Sequence, residues 1–173
     1  QLRLRGERSA GPPLEGTHSF EIAAKAVRTR RIRVNPKFVD PPASALPRIV
    51  EETKLLNELF RRGPSLERLW TLEAVRPVEG VNVSGFGVRS VLNGKPRGPH
   101  AGLDLAAVTG TPVYAPTPGI VVYARPFYFS GNTVILDHGD GLFSLYGHLL
   151  DIACRTGDIL EHKATLGTIG SSG

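Results

Sequence analysis

Residues 131–149, with the sequence GNTVILDHGDGLFSLYGHL, contain the pattern from which the fold of this chain can be worked out. Two runs rich in apolar and β-branched residues, Asn132–Asp137 and Phe143–His148, flank the turn signal Gly139-Asp140-Gly141. Short apolar runs bounded by glycine and aspartate are typical of β-strands that are joined by turns. We therefore predict two strands here, and the same pattern recurs on both sides of this stretch.

Further strand candidates are separated by glycine-containing turn signals such as Asn93-Gly94 and Thr156-Gly157-Asp158. These candidates are Val81–Phe86, Leu103–Ala107, Pro112–Tyr114, Gly119–Ala124 and Leu166–Ile169. Short strands at this spacing favour an antiparallel sheet or sandwich. The predicted fold class is therefore mainly β.

The region before residue 77 has a different character. Strand candidates at 17–24 and 25–34 predict part of a small β domain. A proline-rich linker follows, and then a helix whose apolar stripe contains Ile49, Leu56 and Phe60 and which Gly63-Pro64 is expected to end. The predicted organisation is a partial β domain at 1–40, a linker with its helix at 41–76 and a second β domain at 77–173.

The net charge of +5 is distributed unevenly along the 173 residues. Residues 1–99 contain 18 Lys or Arg against 10 Asp or Glu, whereas residues 100–173 contain 3 against 6. A basic surface attracts anionic partners. In Arg28–Arg33, however, the basic residues alternate with others, which favours a solvated strand face over a nucleic-acid site. We therefore predict no nucleic-acid partner.

Several classes of protein are excluded by composition. The only cysteine, Cys154, rules out an intrachain disulfide framework and a cysteine-rich zinc site. No stretch reaches the roughly 18 apolar residues that predict a membrane span, and no signal peptide is recognisable. The sequence begins with Gln1 and contains no methionine, so we expect a processed or partial product. A membrane anchor, if the protein has one, is expected outside this sequence.

His100 and Asp104 lie four residues apart, with Gly102 between them. Residues i, i+2 and i+4 of a strand lie on one face, and the nearby glycine and proline residues argue against a helix. On a strand, the imidazole and the carboxylate would point the same way, with open space at the glycine. Both groups are zinc ligands, so the pair is a candidate for metal binding.

The remaining histidines differ in their surroundings. Tyr146 and His148 are two residues apart on a predicted strand, which would bring a hydroxyl and an imidazole to the same face and the same cleft. His138 lies in a turn signal, where hydrogen bonding to nearby backbone is the favoured interpretation. His18 and His162 are interpreted as residues without a role in a site.

An ordered series of blocks extends from about residue 77 to residue 173. The blocks are SGFGVR at 84–89, NGKPRGPHAGLD at 93–104, GTPVYAP at 110–116, GIVV at 119–122, GNTVILDHG at 131–139, LYGHL at 145–149, GDIL at 157–160 and LGTIG at 166–170. This series resembles the lysostaphin/LytM-type zinc endopeptidases, which cut peptidoglycan cross-bridges. The linker and helix resemble those of cell-envelope members that have an upstream β domain.

The resemblance implies that His100 and Asp104 are the first two ligands of a zinc ion, and that His148 faces the metal-bound water without being a ligand. It also implies a third ligand from a later His-x-His pair, which is expected beyond Gly173, so that the peptidase domain is expected to be truncated here. The implied activity is zinc-dependent hydrolysis of peptide cross-links of peptidoglycan by a metal-activated water. From strand geometry we infer that the hydroxyl of Tyr146 stabilises the oxyanion. The alternative is that Tyr146 only packs on the sheet.

The resemblance also implies a location and partners. The location is the periplasm, the cell envelope or the extracellular space, and the partners are peptidoglycan and a regulatory or adaptor protein of the envelope. The alternative function is that of a catalytically inactive member, a module that binds or activates another cell-wall hydrolase. The presence of His100, Asp104 and His148 favours the enzyme, because degenerate members are expected to lose ligands first.

Overall fold

The computed structural model describes residues 2–6, 14–19, 27–61 and 67–173, and in them the chain is mainly β, as predicted. The strands are β1 Leu2–Gly6, β2 Leu14–His18, β3 Thr29–Ile32, β4 Val81–Ser84, β5 Arg89–Leu92, β6 Lys95–Pro96, β7 Asp104–Ala106, β8 Pro112–Tyr114, β9 Gly119–Phe127, β10 Gly131–Asp137, β11 Phe143–Ile152, β12 Ile159–Leu160 and β13 Thr165–Ile169. Two short 3₁₀ turns, Pro36–Phe38 and Ala43–Ala45, precede the helix α1, Leu46–Arg61. The predictions for residues 20–26 and for the helix end at Gly63-Pro64 lie outside the described residues.

Six antiparallel strands form the central sheet, in the order β12-β9-β10-β11-β13-β8. The stretch at 131–149 supplies β10 and the first part of β11, which pair with each other across the predicted turn. Within that turn the amide of His138 donates a hydrogen bond of 2.9 Å to the carbonyl of Leu142. The antiparallel sheet predicted from this stretch is therefore confirmed.

Strand β10 is the centre of the core, because all of its residues from Thr133 to Asp137 are buried. Val134 and Leu136 belong to one apolar cluster, whereas Ile135 belongs to a second cluster. Successive side chains of a strand point to opposite faces, so β10 is covered on both sides. Burial of each such side chain contributes roughly 1.5–3 kcal/mol to folding.

Helix α1 covers the second face of the sheet. Leu59 is buried against Ile135, Tyr123 and Phe127, and Leu55 and Leu56 pack beside it. The helix is also tied to the turn after β9, because Glu52 accepts a hydrogen bond of 2.8 Å from the amide of Tyr128. The packed face of the helix therefore centres on Leu59 and includes Leu56 of the predicted stripe, whereas Phe60 is 47% exposed and contacts Phe143 edge to face.

Two smaller sheets carry the segments around His100. Strand β3 pairs in parallel with β5, and β5 pairs with β6 through Asn93-Gly94, whose φ values of 50° and 86° suit a tight hairpin. Strand β4 pairs with β7, and Ser84 lies opposite Asp104. Residues 29–32 of the predicted amino-terminal domain are therefore hydrogen-bonded to residues 89–92; the domain boundaries themselves stay a prediction.

The structure also contains strands that were not predicted from the sequence, namely β1, β5, β6 and β12. Strands β5, β6 and β12 are short, and only β5 of these has more than two residues, so none of the three shows an apolar alternation long enough to be recognised. Strands β9 and β11 run further than predicted, to Phe127 and Ile152. None of the described helices is both long and apolar enough to cross a membrane.

Candidate metal and catalytic site

The structure brings the side chains of His100 and Asp104 together. The distance from His100 Nε2 to Asp104 Oδ1 is 3.2 Å. The prediction that both lie on one strand is wrong: His100 lies in the loop before β7, the chain bends at Gly102, and Asp104 is the first residue of β7. The glycine and proline residues of this segment that argue against a helix also interrupt a strand. The two side chains converge because the loop curves, not because a pleated strand aligns them.

The segment from Ser84 to Val88 holds both residues in place. His100 donates its amide hydrogen to the carbonyl of Val88 over 2.9 Å, and its own carbonyl accepts from Gly87 over 2.8 Å. Asp104 lies opposite Ser84 in the pairing of β4 with β7. The block SGFGVR, at 84–89, therefore has a structural role: it fixes the loop and the strand that carry the two candidate ligands.

The hydrogen bonding of His100 identifies which ring nitrogen is available. Its Nδ1 lies 3.2 Å from the carbonyl oxygen of Gly85, which can only accept, so Nδ1 carries the hydrogen. Nε2 then presents either a lone pair or a second proton to Asp104. A lone pair and a carboxylate oxygen 3.2 Å apart repel each other, so a cation, either a proton or a metal ion, is needed between them.

This geometry fits a shared zinc ion. Two donor atoms bound at about 2.0–2.2 Å in a tetrahedral site lie about 3.3–3.6 Å apart, and the observed distance of 3.2 Å between His100 Nε2 and Asp104 Oδ1 is just below this range. The hydroxyl of Ser84 is buried and has no hydrogen-bond partner among the described residues. Side chains that lie opposite each other in an antiparallel pair are neighbours on one face, so this hydroxyl lies beside Asp104. An unsatisfied polar atom next to a candidate ligand is expected where a metal-bound or bridging molecule belongs.

Two further observations complete the surroundings of the pair. Asp104 Oδ2 accepts a hydrogen bond of 3.2 Å from Arg30 of strand β3. Within the described residues, no third His, Cys, Asp or Glu joins His100 and Asp104 in a group that could hold a metal ion. The described residues therefore bring together two candidate ligands, His100 and Asp104.

His148 has an unusual backbone conformation and a defined tautomer. Its φ is +60°, its side chain is exposed, and its Nδ1 lies 2.7 Å from the carbonyl oxygen of Ser172. Nδ1 therefore carries the hydrogen, and Nε2 is free to accept a proton from another molecule. Ser172 is itself fixed, because its Oγ donates to the carbonyl of Leu149 over 2.6 Å and accepts from the amide of Asn132 over 2.9 Å. His148 makes no hydrogen bond or ion pair to His100 or Asp104, all three being described.

The prediction that Tyr146 and His148 share a face is wrong, because β11 contains a bulge. Tyr146 pairs with Val134 and Leu149 pairs with Asn132, so β11 has one residue more than β10 between these pairs. An additional residue shifts the alternation of side chains by one position. Tyr146 accordingly packs against the same buried cluster as Leu149, whereas His148 is exposed.

The hydroxyl of Tyr146 is engaged inside the protein. It donates to Ser144 Oγ over 2.8 Å, and Ser144 Oγ lies 2.7 Å from His138 Nε2. The other ring nitrogen of His138 lies 2.7 Å from the carbonyl oxygen of Pro118, so Nδ1 is the donor and Nε2 accepts from Ser144. Burial raises the pKa of Tyr146 to about 12, although the bond to Ser144 opposes the rise. These features are those of a structural hydroxyl.

Of the other histidines, the structure describes the side chains of His138 and His162, and neither bonds to His100 or Asp104. His138 is buried and bonded to backbone and to Ser144, in agreement with the structural interpretation. His162 is exposed in a turn. The interpretation of the His18 side chain lies outside what the structure describes.

Three residues near the candidate groups were not predicted from the sequence: Arg30, Ser84 and Ser172. Arg30 is 74 positions from Asp104, and Ser172 is 24 positions from His148. Contacts over such separations depend on strand pairing, which a local pattern does not contain. Ser84 lies in one of the quoted blocks, and its position opposite Asp104 follows only from the register of β4 with β7.

Comparisons with known proteins show similarity to peptidases. Residues 98–173 match the family model described as Peptidase family M23. The peptidoglycan DD-endopeptidase ShyA of Vibrio cholerae is 36% identical over 75 residues, which cover 43% of this chain and 17% of that protein. This chain therefore spans about one sixth of the length of that curated relative.

Two crystal structures of peptidases have similar folds. An M23 peptidase from Pseudomonas aeruginosa is 34% identical with a TM-score of 0.64, and the match covers 76% of this chain and 52% of that one. A zinc-containing peptidase from Vibrio cholerae is 27% identical with a TM-score of 0.53, and the match covers 62% of this chain and 33% of that one. The resemblance given by the sequence blocks is therefore confirmed.

Proposed function

Residues 98–173 match the model of peptidase family M23, and we propose that the chain is part of a zinc-dependent endopeptidase that hydrolyses the peptide cross-links of peptidoglycan. The observation that carries the proposal is the pairing of His100 Nε2 with Asp104 Oδ1 at 3.2 Å, with His100 Nδ1 held by the carbonyl of Gly85. The substrate class is supported by the relatives, of which one is named a peptidoglycan DD-endopeptidase. The corresponding location is the periplasm or the cell envelope.

His100 Nε2 and Asp104 Oδ1 would hold the zinc ion, together with a third protein ligand from outside the described residues. When bound, zinc supplies a Lewis acid that polarises the scissile carbonyl and makes water acidic enough to react near neutral pH. The protein prepares this site by bonding the second atom of each ligand group: His100 Nδ1 to Gly85, and Asp104 Oδ2 to Arg30. Such contacts orient ligands and set the tautomer of a histidine.

The proposed role of His148 is to hold and transfer the proton of the reaction. Imidazole is the side chain that changes charge near neutral pH, and the bond from Nδ1 to the carbonyl of Ser172 leaves Nε2 as the acceptor. An oriented base of this kind contributes about 10²–10⁴-fold to a reaction rate. Tyr146 receives no catalytic role in this proposal, because its hydroxyl already donates to Ser144.

The test uses the full-length protein, cross-linked muropeptides as substrate and chromatography of the products. We expect a metal chelator to abolish hydrolysis and added zinc to restore it. His100→Ala and Asp104→Asn are expected to lose both zinc and turnover, whereas His148→Ala is expected to keep zinc and lose turnover. His162→Ala, at an exposed turn, is the matched control and is expected to resemble the unsubstituted protein.

Two results would contradict the proposal in different ways. Release of zinc by His148→Ala would show that the roles assigned to the histidines are wrong. A zinc-loaded protein that cleaves no muropeptide but accelerates a second cell-wall hydrolase would favour the alternative function, that of an inactive module.

A further inference from the structure

Arg30 links the amino-terminal strand β3 to the candidate metal site. Its Nε donates to Ser90 Oγ over 3.1 Å, and its Nη2 donates to Asp104 Oδ2 over 3.2 Å. Arg30 lies directly beside Ser90 in the parallel pairing of β3 with β5. One guanidinium therefore connects three elements: β3, β5 and the first residue of β7.

This contact is poorly suited to a role in stability alone. The side chains of Arg30 and Asp104 are 39% and 40% exposed, so solvent screens their attraction. Exposed ion pairs contribute little to folding, because the Coulomb energy is small in water and two long side chains must be ordered. The geometry, by contrast, is specific, because two different nitrogen atoms of one planar group are used.

The specific effect of the contact is on the orientation of the Asp104 carboxylate. A carboxylate can rotate and present either oxygen, or both, to a metal ion. With Oδ2 held by Arg30, the other oxygen, Oδ1, is the one that faces His100 Nε2 at 3.2 Å. Ser90 in turn fixes the guanidinium of Arg30, so that the pairing of β3 with β5 determines the orientation of the Asp104 carboxylate.

We propose that Arg30 is a positioning residue, which holds Asp104 so that Oδ1 alone is presented to zinc, and thereby makes the metal affinity depend on the docking of strand β3. This inference rests on the proposed function, since it requires a zinc ion at His100 and Asp104. Its consequence is a coupling: a change that detaches residues 29–32 from residues 89–92 weakens the metal site even though it touches neither ligand.

Arg30 has two opposing effects on zinc binding, so the direction in which its removal changes the zinc affinity tests the proposal. The positive charge of the guanidinium repels zinc, so that removal of the charge alone would tighten binding. Loss of the orienting contact loosens binding, and removal of such a contact from a metal ligand typically weakens affinity about 10–100-fold. The proposal requires the second effect to exceed the first.

The experiment measures zinc affinity of the full-length protein by competition with a chromophoric chelator, and records the visible spectrum of the cobalt-substituted protein. We expect Arg30→Ala to weaken zinc about tenfold or more and to change the cobalt spectrum. Arg30→Lys keeps the positive charge but lacks the planar guanidinium, so we expect it to recover only part of the zinc affinity that Arg30→Ala loses. Ser90→Ala is expected to weaken zinc by less than Arg30→Ala. Arg31→Ala, at the exposed neighbouring position of β3, is the matched control and is expected to bind like the unsubstituted protein.

The outcomes separate this inference from the proposed function. If the unsubstituted protein binds no zinc, the proposed function and the inference both fail. If it binds zinc and Arg30→Ala binds equally or more tightly, only the inference fails. Should Arg30→Ala not fold, Ser90→Ala decides: weaker zinc binding supports the positioning role, and unchanged binding with an unchanged cobalt spectrum overturns it.

Discussion

Gly131 permits the close approach of the segment that orients His148, so substitution of this glycine tests the assigned role of His148. Gly131 has a φ of +57°, and a Cβ atom added to it would overlap the carbonyl group and the Oγ of Ser172. The carbonyl of Ser172 is the hydrogen-bond acceptor for His148 Nδ1 at 2.7 Å. Gly131→Ala must therefore displace the partner of the proposed base without touching the base itself.

The size of the effect follows from the contact. Carbon atoms pack at about 3.5–4.0 Å, so relief of the overlap requires Ser172 to move by about 1 Å. A hydrogen bond that begins at 2.7 Å would then exceed the normal range of hydrogen-bond lengths. A displacement of this size at a reacting group costs up to about 100-fold in rate. We expect Gly131→Ala to lower kcat about 10–100-fold.

Gly141→Ala is the matched control. Gly141 has a φ of +75° but no heavy atom within 4 Å of an added Cβ, so it shares the backbone strain without the overlap. Each variant is expected to lose about 1–2 kcal/mol of folding free energy through that strain, with a further loss for Gly131→Ala. The assay is muropeptide hydrolysis by the zinc-loaded protein, with bound zinc measured in parallel to confirm folding. Equal kcat values for the two variants at equal zinc content would refute the role given to the contact between His148 and Ser172.

The remaining predictions concern Tyr146 and the core. Burial raises the pKa of Tyr146 from 10.0 to about 12 in the folded protein. The stability that depends on a protonated Tyr146 hydroxyl is therefore fully present below pH 10 and is lost as the pH rises from 10 to 12. Between pH 10 and pH 12, the free energy of unfolding should therefore fall by about 2 kcal/mol more in the unsubstituted protein than in Tyr146→Phe. Chemical denaturation at a series of pH values measures this difference. If the plots of unfolding free energy against pH are parallel for the two proteins, the burial of the hydroxyl is contradicted. Tyr146→Phe should also keep kcat within about twofold, since its hydroxyl is committed to Ser144, and a loss of tenfold or more would restore the predicted oxyanion role. Leu136→Ala, at a fully buried position, should lower the free energy of unfolding by about 2–5 kcal/mol, whereas Leu150→Ala, at a position 53% exposed, should have a much smaller effect in the same denaturation experiment.

The central sheet could be predicted from the sequence because its information is local. Asn132–Asp137 and Phe143–His148 are apolar runs, and the glycine-rich turn between them leaves a hairpin as the simplest connection. The same reasoning missed β5 and β6, which are short and carry exposed basic residues. Their pairing depends on the Asn93-Gly94 turn and on β3, which is far away in the chain.

The candidate site was predicted to the extent that its geometry is local. His100 and Asp104 are four residues apart, so almost any compact path of the chain keeps them close, and the pair was found although the assumed strand was wrong. The alternation argument failed for Tyr146 and His148 because a single additional residue in a bulge inverts the faces that follow it. Gly147 lies within the bulge and is the residue of this segment whose type is typical of one; the φ of +60° at His148 is the structural signature of the bulge.

The two candidate functional groups are held by segments that lie far apart in the chain, β3 and residues 171–173, and this arrangement has a consequence for how the site responds to its surroundings. Arg30 of β3 bonds the ligand Asp104, whereas Ser172 bonds the proposed base His148. Arg30 and Asp104 lie outside the central sheet, whereas His148 is a residue of β11, and Ser172 bonds Asn132 of β10 and Leu149 of β11. A change that loosens β3 should therefore act on metal binding with little effect on the central sheet, whereas a change that loosens residues 171–173 should act on turnover and also remove bonds to β10 and β11.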